Sequence, residues 1–300
     1  MNKFPDSIIG AIFICISAFA YATQTILGKF AFSAGLTPES LLLLRYILTA
    51  SFITPYLFFK KSAVIDKSPL VLLQAFLFAS EGLLFFYALQ HLSASITVVV
   101  FFSHPVLVAI SSSIIFKEKL HSYFILGLIL AITGVILVSG LLGGAVKLSV
   151  LGLALIVGAA VLYTIYSLIS QKNVRTVSPL IITNTLAVGS IVILLALYHD
   201  LSFLAQLSME QLLITLVMTV LNTLIAVVFF LKGVKKIGAS RATLLGTLEP
   251  VLAMLLAFSL LGESLSRVQM LGAIMVFISI FLAVYPASSG HPSSSSSSNT

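Results

Sequence analysis

Apolar runs, each about as long as a membrane is thick, follow one another along almost the whole chain. A membrane-spanning helix needs about 20 mostly apolar residues, and charges, prolines and glycines mark off ten such runs. Their limits are Ile8–Ser33, Glu39–Phe59, Pro69–Gln90, Leu92–Phe116, Ser122–Leu141, Val150–Gln171, Pro179–His199, Glu210–Leu231, Ile237–Leu261 and Ser266–Tyr285. The pattern predicts an all-α integral membrane protein with ten transmembrane helices joined by short loops.

Composition excludes most other classes of protein. Only 16 basic and 9 acidic residues occur among 300, 59% of the residues are hydrophobic and the mean hydropathy is +1.18. About a quarter of the residues in a soluble protein are charged, so a soluble enzyme, a nucleic-acid-binding domain and a disordered chain are excluded. The single cysteine, Cys15, leaves no intramolecular disulfide or multi-cysteine metal site. We expect no cofactor, no bound metal and no nucleic-acid partner.

The distribution of Lys and Arg predicts the orientation, because cytoplasmic loops are enriched in these residues. With a cytoplasmic N-terminus and ten spans, eleven basic residues fall on the inside and two on the outside. The inside set is Lys3, Lys60, Lys61, Lys67, Lys117, Lys119, Lys172, Arg175, Lys232, Lys235 and Lys236, and the outside set is Lys147 and Arg267. Both termini are therefore predicted to be cytoplasmic, in a multi-pass protein of the cell membrane.

The chain also contains an internal repeat. A shift of 145 residues aligns 92–138 with 237–283 without a gap, with eleven identities in 47 positions. The informative pairs are Pro105 with Pro250, Glu118 with Glu263 and Gly127 with Gly272. A shift of 142 residues matches the first span to the sixth, pairing Gly10 with Gly152, Ala18 with Ala160 and Tyr21 with Tyr163.

Each half holds five spans, and two similar halves with an odd number of spans enter the membrane from opposite sides. We therefore predict two inverted five-helix repeats, at residues 1–141 and 150–286, followed by a disordered serine-rich tail at 287–300. Inverted repeats are typical of transporters, whose substrate site lies near the membrane midplane between the repeats.

Ionisable residues inside spans are costly and mark functional sites by default. Arg45, Glu81, His104 and Glu249 lie deep in predicted spans. Two interpretations of Glu81 remain open at this point. It is either a carboxyl held protonated or paired with Arg45 to join helices, or a cavity carboxylate that binds a cationic group or a proton.

His104 and Glu249 occupy equivalent positions, each immediately before a mid-span proline. Proline removes one backbone hydrogen bond and displaces the carbonyl four residues earlier, which frees carbonyls near Phe101 and Gly246. A kink beside a titratable side chain suits a substrate site. The alternative is that the prolines only shape the helices for packing.

Aromatic and amide side chains complete the candidate site. Tyr21 and Gln24 lie midway along the first span, and Tyr163 and Tyr166 lie similarly in the sixth. Residues three apart share a helix face, so each pair could line a cavity, although packing is the usual role of such tyrosines. Asn222, in the eighth span, is either a cavity residue or an interhelical clamp.

These residues resemble a known family, the drug/metabolite transporters of the EamA type. Tyr21 takes the position of that family's tryptophan, while Lys29 and Arg45 match its lysine and arginine. The family's series of proline, apolar run, short Gly-Glu loop and glycine occurs twice. The second copy reads Glu249-Pro250-Val251, Gly262-Glu263 and Gly272, and the first reads His104-Pro105-Val106, Lys117-Glu118 and Gly127. The resemblance covers residues 8–285.

The resemblance implies a ten-span secondary carrier with a central cavity lined by both halves. We expect it to move a small organic metabolite, an amino acid or related zwitterion being favoured, by alternating access. Proton coupling is an open possibility. The alternatives are a membrane-embedded enzyme acting on a lipid-linked substrate and a passive facilitator or channel. The sequence does not decide between a monomer and a homodimer.

Overall fold

A computed structural model describes residues 5–118, 120–139, 149–198, 201–261 and 266–284. Within these ranges the chain forms helices and no strand. The predicted serine-rich tail and the Gly262-Glu263 pair of the second motif copy lie outside the described residues.

The described helices are named in chain order. They are α1 (Asp6–Tyr21), α2 (Gln24–Ser33), α3 (Pro38–Phe59), α4 (Pro69–His91), α5 (Ala94–Phe101), α6 (His104–Ile115), α7 (Ser122–Val138), α8 (Val150–Asn173), α9 (Pro179–Leu197), α10 (Met209–Met218), α11 (Ala226–Ile237), α12 (Ala239–Gly246), α13 (Leu248–Leu261) and α14 (Arg267–Val284). A π-helical segment, Thr219–Ile225, joins α10 to α11, and a short 3₁₀ turn covers Ser202–Leu204.

Eight helical segments of the described chain are long and apolar enough to cross a membrane. Two further predicted spans correspond to the shorter apolar helices α7 and α14. The outward faces are apolar, as Phe19, Ile110 and Phe281 illustrate with half or more of their surface exposed. An exterior of this kind is stable in lipid, so the chain is a multi-pass membrane protein with an all-α fold.

Most predicted limits lie within three residues of the helices in the structure, but one boundary is wrong by six residues. The eighth span continues to Ile237 rather than ending at Leu231. Lys232, Lys235 and Lys236 therefore belong to the last turns of α11 and not to a loop. Basic side chains at a helix C-terminus interact favourably with the exposed carbonyls there, which explains why the helix continues through them.

Several helices begin with a Ser/Thr-Pro pair. Thr37, Ser68 and Ser178 directly precede the first residues of α3, α4 and α9, and each of those first residues is a proline. Proline suits the first helical position because its missing N–H would have no partner there. The Thr37 and Ser178 hydroxyls also accept a backbone N–H from the first turn, so these starts are encoded locally.

The long helices pack in pairs, α4 along α8, α1 along α11 and α3 along α9. Buried amides join the first of these pairs. Gln74 Nε2 donates to Ser170 Oγ at 2.8 Å, and Asn173 Nδ2 donates to Gln74 Oε1 at 2.7 Å. Polar groups of this kind hold helices together where lipid offers no competing partner.

Helices α7 and α14 approach each other closely at three glycines. A Cβ on Gly134 would lie 2.8 Å from the carbonyl oxygen of Gly272, and a Cβ on Gly127 would lie 3.3 Å from that of Ser279. As the chain advances along α7, the contacts move backwards along α14, so the two helices are antiparallel. Small residues let their backbones approach closely.

We expect Gly272→Ala to lower stability by about 1–3 kcal/mol, because the added methyl would overlap the backbone of α7. Thermal unfolding in detergent measures the loss. Gly246→Ala is the matched control, since a Cβ there meets no atom within 4 Å. An equal effect of both substitutions would show that helix propensity, and not the close crossing, determines the result.

Candidate functional site

A cavity in the middle of the bundle brings together eight of the nine residues predicted for the site. They are Tyr21, Gln24, Arg45, Glu81, His104, Tyr163, Asn222 and Glu249. They come from both halves of the chain and from several of the predicted spans. The open volume is about 50 Å³, which holds only a few waters.

Tyr166 is the exception, because it is not among the residues that line the cavity. Its side chain is 1% exposed and stacks between Phe78 and Phe230, at centroid distances of 5.6 and 6.2 Å. Tyr163 and Tyr166 are three residues apart, so both rings lie on one helix face. The Phe78 and Phe230 rings, however, cover the Tyr166 ring. Tyr166 supports the cavity wall from behind.

Three of the spans that border the cavity are interrupted beside it. The first breaks at Ala22–Thr23, the fourth at Phe102–Ser103 and the ninth at Thr247. Non-helical backbone at membrane depth is tolerated where it lies within the protein or lines a cavity. The two breaks before His104-Pro105 and Glu249-Pro250 lie where the prolines predict them.

His104 stabilises the break in the fourth span through a hydrogen bond to the backbone. Its Nδ1–H donates to the Phe101 carbonyl oxygen at 2.9 Å, the carbonyl that Pro105 leaves without a helical donor. The ring is 4% exposed and lies 4.5 Å from the Tyr163 ring, centroid to centroid. With Nδ1 committed to the backbone, Nε2 is the nitrogen left free to accept a hydrogen bond.

The break in the first span and the π-helical segment of the eighth stabilise each other. Asn222 Nδ2 donates to the Ala20 carbonyl at 2.7 Å and to Thr23 Oγ1 at 3.1 Å. In the other direction, Ser17 Oγ donates to the Ala226 carbonyl at 2.8 Å. Asn222 is therefore an interhelical clamp as well as a lining residue, which combines the two alternatives that its sequence position suggests.

Arg45 is a buried cation whose hydrogen-bond donors are only partly used. Its side chain is 3% exposed, and Nη2 donates to Tyr46 Oη at 3.2 Å. Nε and Nη1 find no hydrogen-bond partner among the described residues. The Phe86 ring lies 5.7 Å from the guanidinium carbon and contributes a cation–π attraction. A buried guanidinium with two unused donors attracts an anion.

Glu81 and Glu249 are the acidic counterparts. Both line the cavity, and neither forms a hydrogen bond or ion pair with any other described residue. In particular, Glu81 and Arg45 do not pair, although both face the same space. Within the described residues, Lys236 and Asp6 form an ion pair at 2.7 Å, and neither of them lines the cavity. The carboxyls are thus free for a ligand.

Phenylalanines make up half of the other residues that line the cavity, and sequence reasoning missed them. They are Phe78, Phe85, Phe86, Phe101, Phe102 and Phe230. Edge-to-face contacts link Phe85 to Phe86 and to Phe101 at 5.6 and 5.2 Å. The chain has 22 phenylalanines, and nothing in their spacing separates the lining residues from those that face lipid.

Lys29 lies outside this cavity. It is exposed, and its Nζ donates to the Leu89 carbonyl at 3.2 Å. This contact ties the C-terminal part of the first span to the end of α4. Lys29 therefore serves as a link between helices in this structure.

A hydrogen-bond network around Glu118 lies one helical turn from a residue that lines the cavity. Its Oε1 accepts from Gln171 Nε2 and its Oε2 from Ser240 Oγ, both at 2.8 Å, while Gln171 Oε1 accepts from the Ala239 N–H at 2.6 Å. Ser240 lies one turn before Thr243, which lines the cavity. The network therefore joins separate parts of the bundle just beyond the site.

Comparison with known proteins identifies the family. The model of the EamA-like transporter family matches residues 8–140 and again residues 150–285. The chain therefore belongs to the EamA-like transporter family, and it is a membrane transporter.

Its relatives carry the same general description. An uncharacterized transporter of Clostridium kluyveri is 24% identical over 285 residues, covering 90% of this chain and 91% of its own. The uncharacterized transporter YcbK of Bacillus subtilis is 26% identical, covering 93% and 94%. A solved crystal structure has a TM-score of 0.80 at 14% identity over 91% of this chain and 96% of its own, which shows a shared fold.

We expect His104→Ala to destabilise the protein by about 1–3 kcal/mol, because it leaves the buried Phe101 carbonyl unpaired. Pro105→Ala restores a backbone N–H at position 105 that can donate to the same carbonyl. His104→Ala should therefore destabilise a Pro105→Ala background less than it destabilises the native chain. Thermal unfolding of the four proteins of this cycle measures the coupling, and equal losses in both backgrounds would contradict the capping role.

Proposed function

We propose that this EamA-like transporter is a secondary carrier that moves an amino acid or related zwitterion across the cell membrane by alternating access. The observation that carries the proposal is the unpaired arrangement of charge in the cavity. A buried cation and two carboxyls share one small space without forming an ion pair, between aromatic walls. A zwitterion would satisfy both signs of charge at once.

The substrate carboxylate would bind Arg45. The guanidinium fork matches a carboxylate in a bidentate manner, and Nε and Nη1 both lack partners among the described residues. Burying a charge without a partner is strongly unfavourable. Binding of an anion to Arg45 would therefore stabilise the folded protein.

The substrate ammonium would lie near Glu81 and Glu249. Both carboxyls are without hydrogen-bond partners among the described residues, and both face the cavity. A proton on either carboxyl is the alternative way to neutralise it, which leaves proton coupling as part of the same proposal. The phenylalanine walls would hold an apolar substrate side chain.

The contacts between helices support two inverted repeats of five helices, because the same contacts occur in both halves of the chain. Under the shift of 145 residues, the contact of Gly134 with Gly272 becomes that of Ser279 with Gly127, and both contacts occur. The shift of 142 residues takes Gly10 to Gly152, and the shift of 145 residues takes Ile237 back to Leu92. Gly10 contacts Ile237, and Gly152 contacts Leu92 in the same way. The equivalent helices α7 and α14 run antiparallel, which supports a pseudo-two-fold axis in the membrane plane that relates the two halves. Together with the eight long segments, α7 and α14 make up ten spans.

The proposed orientation has both termini in the cytoplasm, from the excess of Lys and Arg on that side. The Glu118 network would then close the cavity on the cytoplasmic side. The cavity is too small for an amino acid as it stands, so the aromatic walls must separate to admit one. Opening and closing of the two ends in turn is the movement that alternating access requires.

Glu81→Gln is expected to abolish transport by the purified protein in proteoliposomes, because the amide removes the charge that would attract an ammonium or a proton. The exposed carboxyl of Glu210, in the first turn of α10, supplies the matched control Glu210→Gln. Thermal unfolding of both variants confirms folding. Native uptake by a folded Glu81→Gln protein would remove Glu81 from the site.

Arg45→Gln should weaken the binding of carboxylate ligands roughly 10- to 100-fold, since it removes a charge-assisted hydrogen bond. A thermal-shift screen of amino acids measures this, because a ligand stabilises the folded state according to its concentration relative to its affinity. The corresponding amines, which lack the carboxylate, are the control ligands. If Arg45→Gln weakened amine and amino-acid binding equally, the carboxylate role of Arg45 would be wrong.

A further inference from the structure

A second recess lies on the outside of the bundle, between α6 and α8. Its open volume is about 700 Å³, far larger than that of the central cavity. Leu107 and Ile115 form part of one wall, and Val161, Ile165 and Ile169 form part of the other. We refer to this recess as the α6–α8 groove.

The α6–α8 groove is apolar along most of its length and cationic at one end. Lys172 and Arg175 line that end, and no acidic residue of the described chain lines the groove. Both cations are exposed, and neither forms an ion pair with a described residue. Glu118 accepts hydrogen bonds from the adjacent Gln171 and from Ser240, and it neither lines the groove nor forms an ion pair with either cation.

The length of the groove matches one leaflet of a membrane. From Val161 to Lys172 the helix rises about 16 Å, and half of the hydrocarbon core is about 15 Å. Lys172 lies in the last turn of α8 and Arg175 lies two residues beyond its end, where the chain leaves the apolar region. An apolar groove that spans one leaflet and ends in two cations is complementary to one kind of molecule, a lipid with an anionic headgroup.

We propose that the α6–α8 groove binds an anionic phospholipid. One acyl chain lies between the walls formed by Leu107, Ile115, Val161 and Ile165, and the phosphate of the headgroup lies against Lys172 and Arg175. The lipid is a resident of the groove, bound more tightly than the lipids that surround the rest of the protein. Because α8 also carries Tyr163 on its inner face, the bound lipid contacts a helix that lines the central cavity.

Native mass spectrometry of the delipidated protein, titrated with phosphatidylglycerol or phosphatidylcholine, tests this proposal. We expect one phosphatidylglycerol to bind in preference to phosphatidylcholine. Lys172→Gln with Arg175→Gln should weaken the binding of phosphatidylglycerol about 30-fold, from the loss of two cations near an anionic group. Lys67→Gln with Lys235→Gln is the matched control, since both lysines are exposed and lie outside the groove.

A second pair of variants tests the apolar part. Ile165→Trp and Ile115→Trp each fill the groove from a different wall without removing charge, and both side chains are partly exposed. Each should displace phosphatidylglycerol, with thermal unfolding as the check on folding. Equal losses in the control pair would show a general attraction of anionic lipid to basic side chains and would overturn the proposal. Retention of lipid by both tryptophan variants would overturn the placement of the acyl chain.

Discussion

Within hydrocarbon, a backbone carbonyl that leaves its helix has no water to bind, and its pairing must come from the protein itself. Three carbonyls beside irregular backbone in the first, fourth and eighth spans meet that requirement. His104 supplies the donor for Phe101, Asn222 supplies it for Ala20, and Ser17 supplies it for Ala226. Several polar residues near the cavity are thus engaged in hydrogen bonds to backbone carbonyls. Only polar residues without such a bond remain free for a ligand.

Arg45, Glu81 and Glu249 are the charged residues of the cavity that remain. They have no comparable bond to the backbone of a neighbouring described span, and the two carboxyls have no bond to any described residue. A membrane protein that kept these charges only to join helices would pair them, because an unpaired buried charge is costly. Their separation across the cavity is therefore the observation on which the proposed substrate site rests.

The sequence accounts for the spans and for two of the breaks, because length, hydropathy and proline act locally. It also leads to eight of the nine candidate residues, since an ionisable, amide or tyrosine side chain deep in a span is costly in lipid and is therefore expected to face the protein interior. It does not lead to the break at Ala22–Thr23 or to the π-helical segment, where no proline or glycine stands at the point of change. These depend on hydrogen bonds between residues about 200 positions apart. The position of Tyr166 behind Phe78 and Phe230 likewise depends on how neighbouring helices fill space.

The π-helical segment also changes the direction in which the eighth span presents its side chains. In an uninterrupted α-helix each residue turns about 100°, so two residues eight positions apart, such as Asn222 and Phe230, point about 80° away from each other. A π-turn takes up one extra residue, and this brings the two nearly into line, so that both line the cavity. In a helix of the same composition without that extra residue, the phenylalanine would point about 80° away from the asparagine, so the π-helical segment determines where the Phe230 ring lies in the cavity wall.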